Sequence, residues 1–202
     1  MVVSDAPSRN TLPPMIHHDY LLRLIEEFAR AISRIRDLRA GEQPAEARHA
    51  LEQQFERLLG ADRESILRLS ATEMLARLLR SGTTQELQAR TLFLATLLRE
   101  SAELARGEGR HDLAIDGHLK ALRLLLSTTD VSFLDDSPGY APTVDGLLAA
   151  LARSEVPGDL RAQVMQYHER QGRFAEAEND LFDLLDQSPP GPSPSASELQ
   201  SS

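Results

Sequence analysis

Two stretches of this chain repeat one another 63 residues apart. They are Gly109-Arg-His-Asp-Leu-Ala-Ile-Asp-Gly-His-Leu-Lys-Ala-Leu-Arg-Leu-Leu-Leu126 and Gly172-Arg-Phe-Ala-Glu-Ala-Glu-Asn-Asp-Leu-Phe-Asp-Leu-Leu-Asp-Gln-Ser-Pro189. The echo pairs Gly109 with Gly172, Arg110 with Arg173, Ala114 with Ala177, Leu119 with Phe182 and Leu122 with Leu185. In each copy a glycine breaks one amphipathic stretch and a second follows; proline stops the later copy. That is the second helix of a helical hairpin. A chain holding two such units is built from helix pairs. The predicted fold class is all-α, with antiparallel helical hairpins packed in an α-α array of about eight or nine helices.

Composition agrees with that architecture and removes several function classes. The 202 residues fit one domain with extra ends, and a chain of ~150 residues already buries roughly 70% of its unfolded surface. Aromatics make up only 4% and Trp is absent, so Leu and Ala must carry the core, which suits closely packed helices. A net charge of −9 argues against nucleic acid as a partner, because phosphate binding needs clustered Lys and Arg. Lys120 is the only lysine, and the arginines are interleaved with acids. With no Cys, disulfides, thiolate catalysis and Cys-bound zinc are excluded. Val2-Val3 gives way at once to Ser4 and Asp5, so no apolar leader is seen. The longest apolar stretch, Leu92–Leu98, is far short of the ~20 residues that span a bilayer. The expectation is a cytoplasmic protein with no membrane partner.

Residues 1–14 carry three prolines and no periodicity, and read as a disordered leader, with Met15 as the natural start. A single helical domain is expected over 15–187, and 188–202 is a disordered Pro/Ser-rich tail. The first helix is expected from Asp19 to Leu38, with Leu21, Leu24, Ile25, Phe28, Ile32 and Ile35 on one face and Asp19 as its N-terminal acid. Gly41 ends it and Pro44 starts a second helix that Gly60 closes. Ser65–Leu69 reads as a short helical turn, and Ser70-Ala-Thr-Glu73 as a capping box before a helix to about Arg80. Thr84 caps a long helix through Arg106. The stretch 129–142 interrupts the pattern; Val131, Phe133, Leu134 and Tyr140 are too apolar for a free linker and predict a loop packed back on the helices. Helices are expected from Thr143 to Arg153, after Pro157-Gly158, and after Gly172.

The small residues at the hairpin crossings carry a resemblance. Ala102, Ala114 and Ala121 in the first copy, and Ala177 with Pro189 in the second, resemble the tetratricopeptide repeat. His118 and Leu181 take the place of that repeat's aromatic residue, and Met165 and Leu184 stand where small residues are usual. Glu27 to Gly60 is a poorer third copy, its glycine one residue out of register. The 63-residue spacing separates the copies by other helices, so no regular superhelix is expected. The whole chain is similar to a family of uncharacterised bacterial helical proteins, from Met15-Ile-x-x-Asp19-Tyr20 to Gly172-Arg-Phe-Ala-x-Ala-Glu-Asn-x-Leu-Phe-x-Leu-Leu185. The resemblance implies a tetratricopeptide-like fold and brings no catalytic residues with it.

A search for chemistry finds little. His17-His18-Asp19 are adjacent and point to different sides of a helix. His111 and His118 are seven apart, roughly 10 Å along the axis, and no His pair has the i, i+4 spacing of a helical zinc site. Gly107-Glu-Gly109 is a helix turn, and no nucleophile elbow or P-loop is present. No catalytic residue, cofactor or metal ligand is therefore assigned. One candidate partner-docking stripe remains: Glu176, Asp180 and Asp183 lie at i, i+4 and i+7 on the last helix, an acidic ridge opposite Leu181 and Leu185. The leading expectation is a non-catalytic protein-interaction or scaffold module whose partner is a protein or peptide. The alternatives are a small-molecule or metal-dependent enzyme with a pocket under the 129–142 loop, and a structural homo-oligomer.

Overall fold

The computed structural model describes residues 14–79, 84–127 and 139–187, with backbone alone for 14–21 and 187. Among the described residues there are nine helices and no strand. They are α1 (Pro14–Ala40), α2 (Pro44–Leu59), α3 (Arg63–Leu67), α4 (Ala71–Leu78), α5 (Thr84–Gly107), α6 (His111–Leu126), α7 (Val144–Ala150), α8 (Gly158–Arg170) and α9 (Phe174–Gln187). The protein is all-α, as the periodicity predicts.

Three turns in this series are built alike. At the end of α5 the Arg110 N–H reaches back to the Ala105 carbonyl (2.8 Å) and Gly109 N–H to Arg106 (3.0 Å). At the end of α8 Arg173 reaches His168 (2.9 Å) and Gly172 reaches Glu169 (3.0 Å). At the end of α1 Gln43 reaches Leu38 (2.9 Å) and Glu42 reaches Arg39 (3.2 Å). This nested pair of bonds is a Schellman turn, which needs a left-handed residue just past the helix. Gly109 (φ 74°) and Gly172 (φ 70°) supply it, but in the first hairpin the position falls to Glu42 (φ 55°), one residue after Gly41. The out-of-register glycine of the sequence thus leaves a glutamate in a conformation that suits glycine. The next helix begins two residues after each left-handed one, so α1/α2, α5/α6 and α8/α9 are joined by the same turn.

Several boundaries move. α1 begins at Pro14, a residue pre-set for a first helical turn, so Asp19 lies inside the helix and is not its terminal acid. α3 starts at Arg63, earlier than Ser65, because the Asp62 carboxylate accepts the Ser65 N–H (2.8 Å) and caps it. The capping box of Ser70 and Glu73 is formed. α7 ends at Ala150, short of Arg153.

The described residues fall into two compact units, one ending at Thr143 and one beginning at Val144. In the first, α5 is the central helix. It buries Leu92, Phe93, Leu94, Leu97 and Leu98, together with Thr91, Thr96 and Glu100. A helix buried on nearly every side must satisfy its own polar groups: Thr96 Oγ1 donates to the Leu92 carbonyl (2.8 Å) and Thr91 Oγ1 to Leu87 (2.8 Å). Glu100, 1% exposed, receives Arg36 Nε (2.8 Å), Arg39 Nη1 (2.9 Å) and Arg99, which fastens α1 to α5. Gly117 of α6 sits where a Cβ would come 2.9 Å from Ala102 Cβ, so the α5/α6 crossing requires glycine there. The small positions foreseen at Ala102, Ala114 and Ala121 are buried around it.

Of the residues expected to pack back from the 129–142 loop, Val131, Phe133 and Leu134 lie outside the described residues. Tyr140 does pack: its ring meets Phe28 edge-on (5.8 Å), Phe28 stacks on Phe93 (4.1 Å), and its carbonyl accepts from Arg36 (2.5 Å) and Arg99 (3.2 Å). Burial pushes its hydroxyl pKa up to about 12. The second unit has its own small core of Val144, Leu147, Leu151, Val156, Leu160 and Val164.

Candidate functional site

The hairpin α8/α9 carries the stripe proposed from sequence, and the structure turns it over. Arg161 and His168 stand seven residues apart on α8, hence two turns apart on one face. Asp180 of α9 meets both, its Oδ1 3.1 Å from Arg161 Nη1 and its Oδ2 2.8 Å from His168 Nδ1. Asp183, one turn on, pairs with the same Arg161 nitrogen at 2.7 Å. Asp180 is therefore 7% exposed and lies in the seam between the helices. A charge is tolerated there because it is paired and hydrogen-bonded. Of the three acids, only Glu176 stands in solvent unengaged by α8; Asp183 is half-exposed and paired. Asp180 therefore belongs to the seam, and Glu176 and Asp183 are the acids of the stripe that remain at the surface.

Asp145 of α7 completes this network. It takes two hydrogen bonds from Arg173 Nη1 (2.9 and 3.1 Å) and lies 4.0 Å from His168 Nε2. The Arg173 guanidinium also lies over the Tyr167 ring, 5.2 Å from its centroid. Burial alone would lower the Arg173 pKa, but the Asp145 hydrogen bond and charge outweigh it and hold the guanidinium above its ordinary value.

With Asp180 and Ala177 turned into the seam, the large apolar residues Phe174, Leu181, Phe182 and Leu185 of α9 face outward. Phe174, Glu178, Leu181 and Leu185 form one stripe at i, i+4, i+7 and i+11, with Phe182 and Asp186 beside it. Phe174 is 70% exposed, Phe182 57% and Leu185 60%, and Leu181 is exposed as well. Leu181 thus does not fill the aromatic slot that the repeat pattern gives it. His118, its counterpart in the first copy, is buried and its Nε2 lies 3.2 Å from Glu103 Oε1. The contrast is sharper at the paired leucines: Leu122 of α6 is fully buried, whereas Leu185 of α9 is open. α6 packs on both α5 and α4, and in its own unit α9 packs on α8.

Two cavities among the described residues show no reactive constellation. One of about 180 Å³ lies over Phe28 and Phe93, with the Glu27–Arg57 ion pair on its rim. Another of about 590 Å³ is lined by Arg39, Glu42, Glu103 and Arg106; Arg39 is engaged by Glu100 and Arg106 by Glu103. Among the described residues no group of three or more His, Asp or Glu is placed to hold a metal ion, and no helix is long and apolar enough to cross a membrane. The pocket imagined beneath the 129–142 loop falls mainly outside the described residues.

Residues 15–196 match a family described as "Family of unknown function (DUF6483)". The chain belongs to the DUF6483 family. No curated protein and no solved structure matches it. Membership in DUF6483 therefore brings no residue role with it, and the site rests on its geometry.

What the sequence reading missed is the orientation of α9. The signal was present in α8: a basic residue and a histidine at seven-residue spacing on the face that the hairpin must bury.

Proposed function

We propose that this chain is a non-catalytic protein-interaction module, made of tetratricopeptide-like hairpins, which takes an amphipathic helix of a partner protein on the outer face of α9. The bacterial origin implied by the sequence resemblance and the cytoplasmic setting expected from the sequence belong to the same proposal. The observation that carries it is the difference between two equivalent helices. Where α6 buries His118 and Leu122, α9 leaves their counterparts Leu181 and Leu185 open, and Phe174 and Phe182 are exposed beside them. Such a row of apolar anchors is the receiving half of a helix-in-groove interaction. Glu178 within the stripe and Asp186 beside it favour a partner whose apolar face is bordered by Lys or Arg. A second copy of the chain fits less well, because a two-fold pairing of α9 with itself would set these carboxylates against their own images.

The test uses two designed helical peptides with the same Leu/Phe face, one bordered by Arg and the other by Glu. Fluorescence anisotropy is expected to show binding of the Arg-bordered peptide, lost in Phe182→Ser/Leu185→Ser. Equal binding of both peptides, or binding unchanged in the double variant, would refute the reading. A concentration-dependent dimer abolished by the same variant in sedimentation equilibrium would replace it with self-association.

A further inference from the structure

Arg63, the first residue of α3, is 9% exposed, yet its guanidinium makes no ion pair with any described residue and its buried Nε has no hydrogen-bond partner. Burial of an arginine normally comes with a carboxylate, since an uncompensated buried charge is far costlier than a paired one. Here the nearby carboxylates are engaged elsewhere. Glu52 accepts the backbone N–H of Arg63 (2.8 Å), and Glu108 is held between the guanidinia of Arg48 and Arg110.

Three guanidinia therefore gather around two acids. Burial first, and then the charge of Arg110, depress the Arg63 pKa, with Glu52 and Glu108 acting the other way. Arginine stays protonated at neutral pH despite such a shift, so the local excess of positive charge is real. It is out of keeping with a chain whose net charge is −9. Arg110 also precedes α6 as its N-cap residue and gives that helix no side-chain cap.

We propose that Arg63, with Arg48 and Arg110, forms a binding site for a small oxyanion of the phosphate class, free or as a phosphomonoester. A tetrahedral oxyanion offers several acceptor oxygens to guanidinium groups, which suits it to more than one arginine at once. The site lies wholly within the first unit and is independent of the α9 face.

The experiment is thermal unfolding in sodium phosphate against sodium chloride at equal ionic strength, with isothermal titration calorimetry of phosphate on the intact protein. Phosphate is expected to raise Tm by roughly 5–10 °C at a hundredfold excess over Kd, and to bind at one site per chain. Arg63→Met is expected to lose that response while melting no lower than wild type in chloride, because it removes an unpaired buried charge. Arg68→Gln, a change at an exposed arginine paired only with Glu64, should retain it. An equal Tm rise in chloride, or a phosphate response preserved in Arg63→Met, would overturn the proposal. Should Arg63→Met fail to fold, the calorimetry on wild type and Arg110→Gln decides: no saturable phosphate binding refutes the site. Glycerol 3-phosphate binding more tightly than phosphate would identify the natural ligand as a phosphomonoester, and the reverse order as the free ion.

Discussion

Glu42 occupies a backbone conformation that costs a non-glycine residue about 1 kcal/mol. Its counterparts Gly109 and Gly172 escape that cost. Glu42→Gly is therefore expected to raise Tm by only about 1–2 °C, the relief of strain being partly offset by the freer unfolded chain. Calorimetry checks it, and a lower Tm would mean that the Glu42 side chain contributes more than its backbone loses. A second residue-scale prediction concerns acid. The hydrogen bond from His118, and then Arg106, hold the Glu103 carboxyl below its ordinary 4.5 against the opposing effect of burial. Such a group contributes stability in full above pH 4.5, and the contribution disappears as pH falls through the depressed folded value. Glu103→Gln should lower stability at neutral pH and flatten its decline below pH 4.5, as followed by denaturant midpoints across that range. An acid limb as steep as wild type would assign the decline to other carboxylates.

At the scale of the element, the polar seam of α8/α9 predicts the opposite of a usual surface substitution. Asp180→Ala strands His168 and leaves Arg161 only Asp183, and should cost about 2 kcal/mol. Glu176→Gln, a few residues away on the same helix, should stay within about 0.5 kcal/mol. Hydrogen exchange of α8 and α9 peptides reads both, with a loss near thirtyfold expected for Asp180→Ala. Equal protection in the two variants would mean that the seam holds without Asp180. This seam also shows where legibility ended. Periodicity placed nearly every helix, because three- and four-residue spacing is a property of one element alone. It could not tell which face of α9 is buried, since that depends on Arg161 and His168 in a different helix. The charges of α8 drew Asp180 into the seam beside Ala177 and left Leu181 and Leu185 outside. The third turn was legible in a subtler way: the glycine out of register at Gly41 marks the place where Glu42 took the left-handed position.

For the molecule as a whole, nine helices among the described residues and a core of Leu and Ala follow directly from the composition and spacing. The central place of α5 does not. Glu100, Thr91 and Thr96 read as polar interruptions, and only the arrival of Arg36 and Arg39 from α1 and the helix's own carbonyls makes their burial intelligible. The Arg63 cluster was likewise invisible, because Arg48, Arg63 and Arg110 are scattered along the chain and nothing in their local pattern joins them. The outward phenyl rings of α9 have a practical consequence. A dye such as ANS, whose emission rises on apolar surface, should brighten on the fully folded protein and respond to Phe174→Ser/Phe182→Ser with no change in helicity. Fluorescence of that kind is commonly read as a loosened core; here it would report a well-packed chain that wears its stickiest residues on the outside.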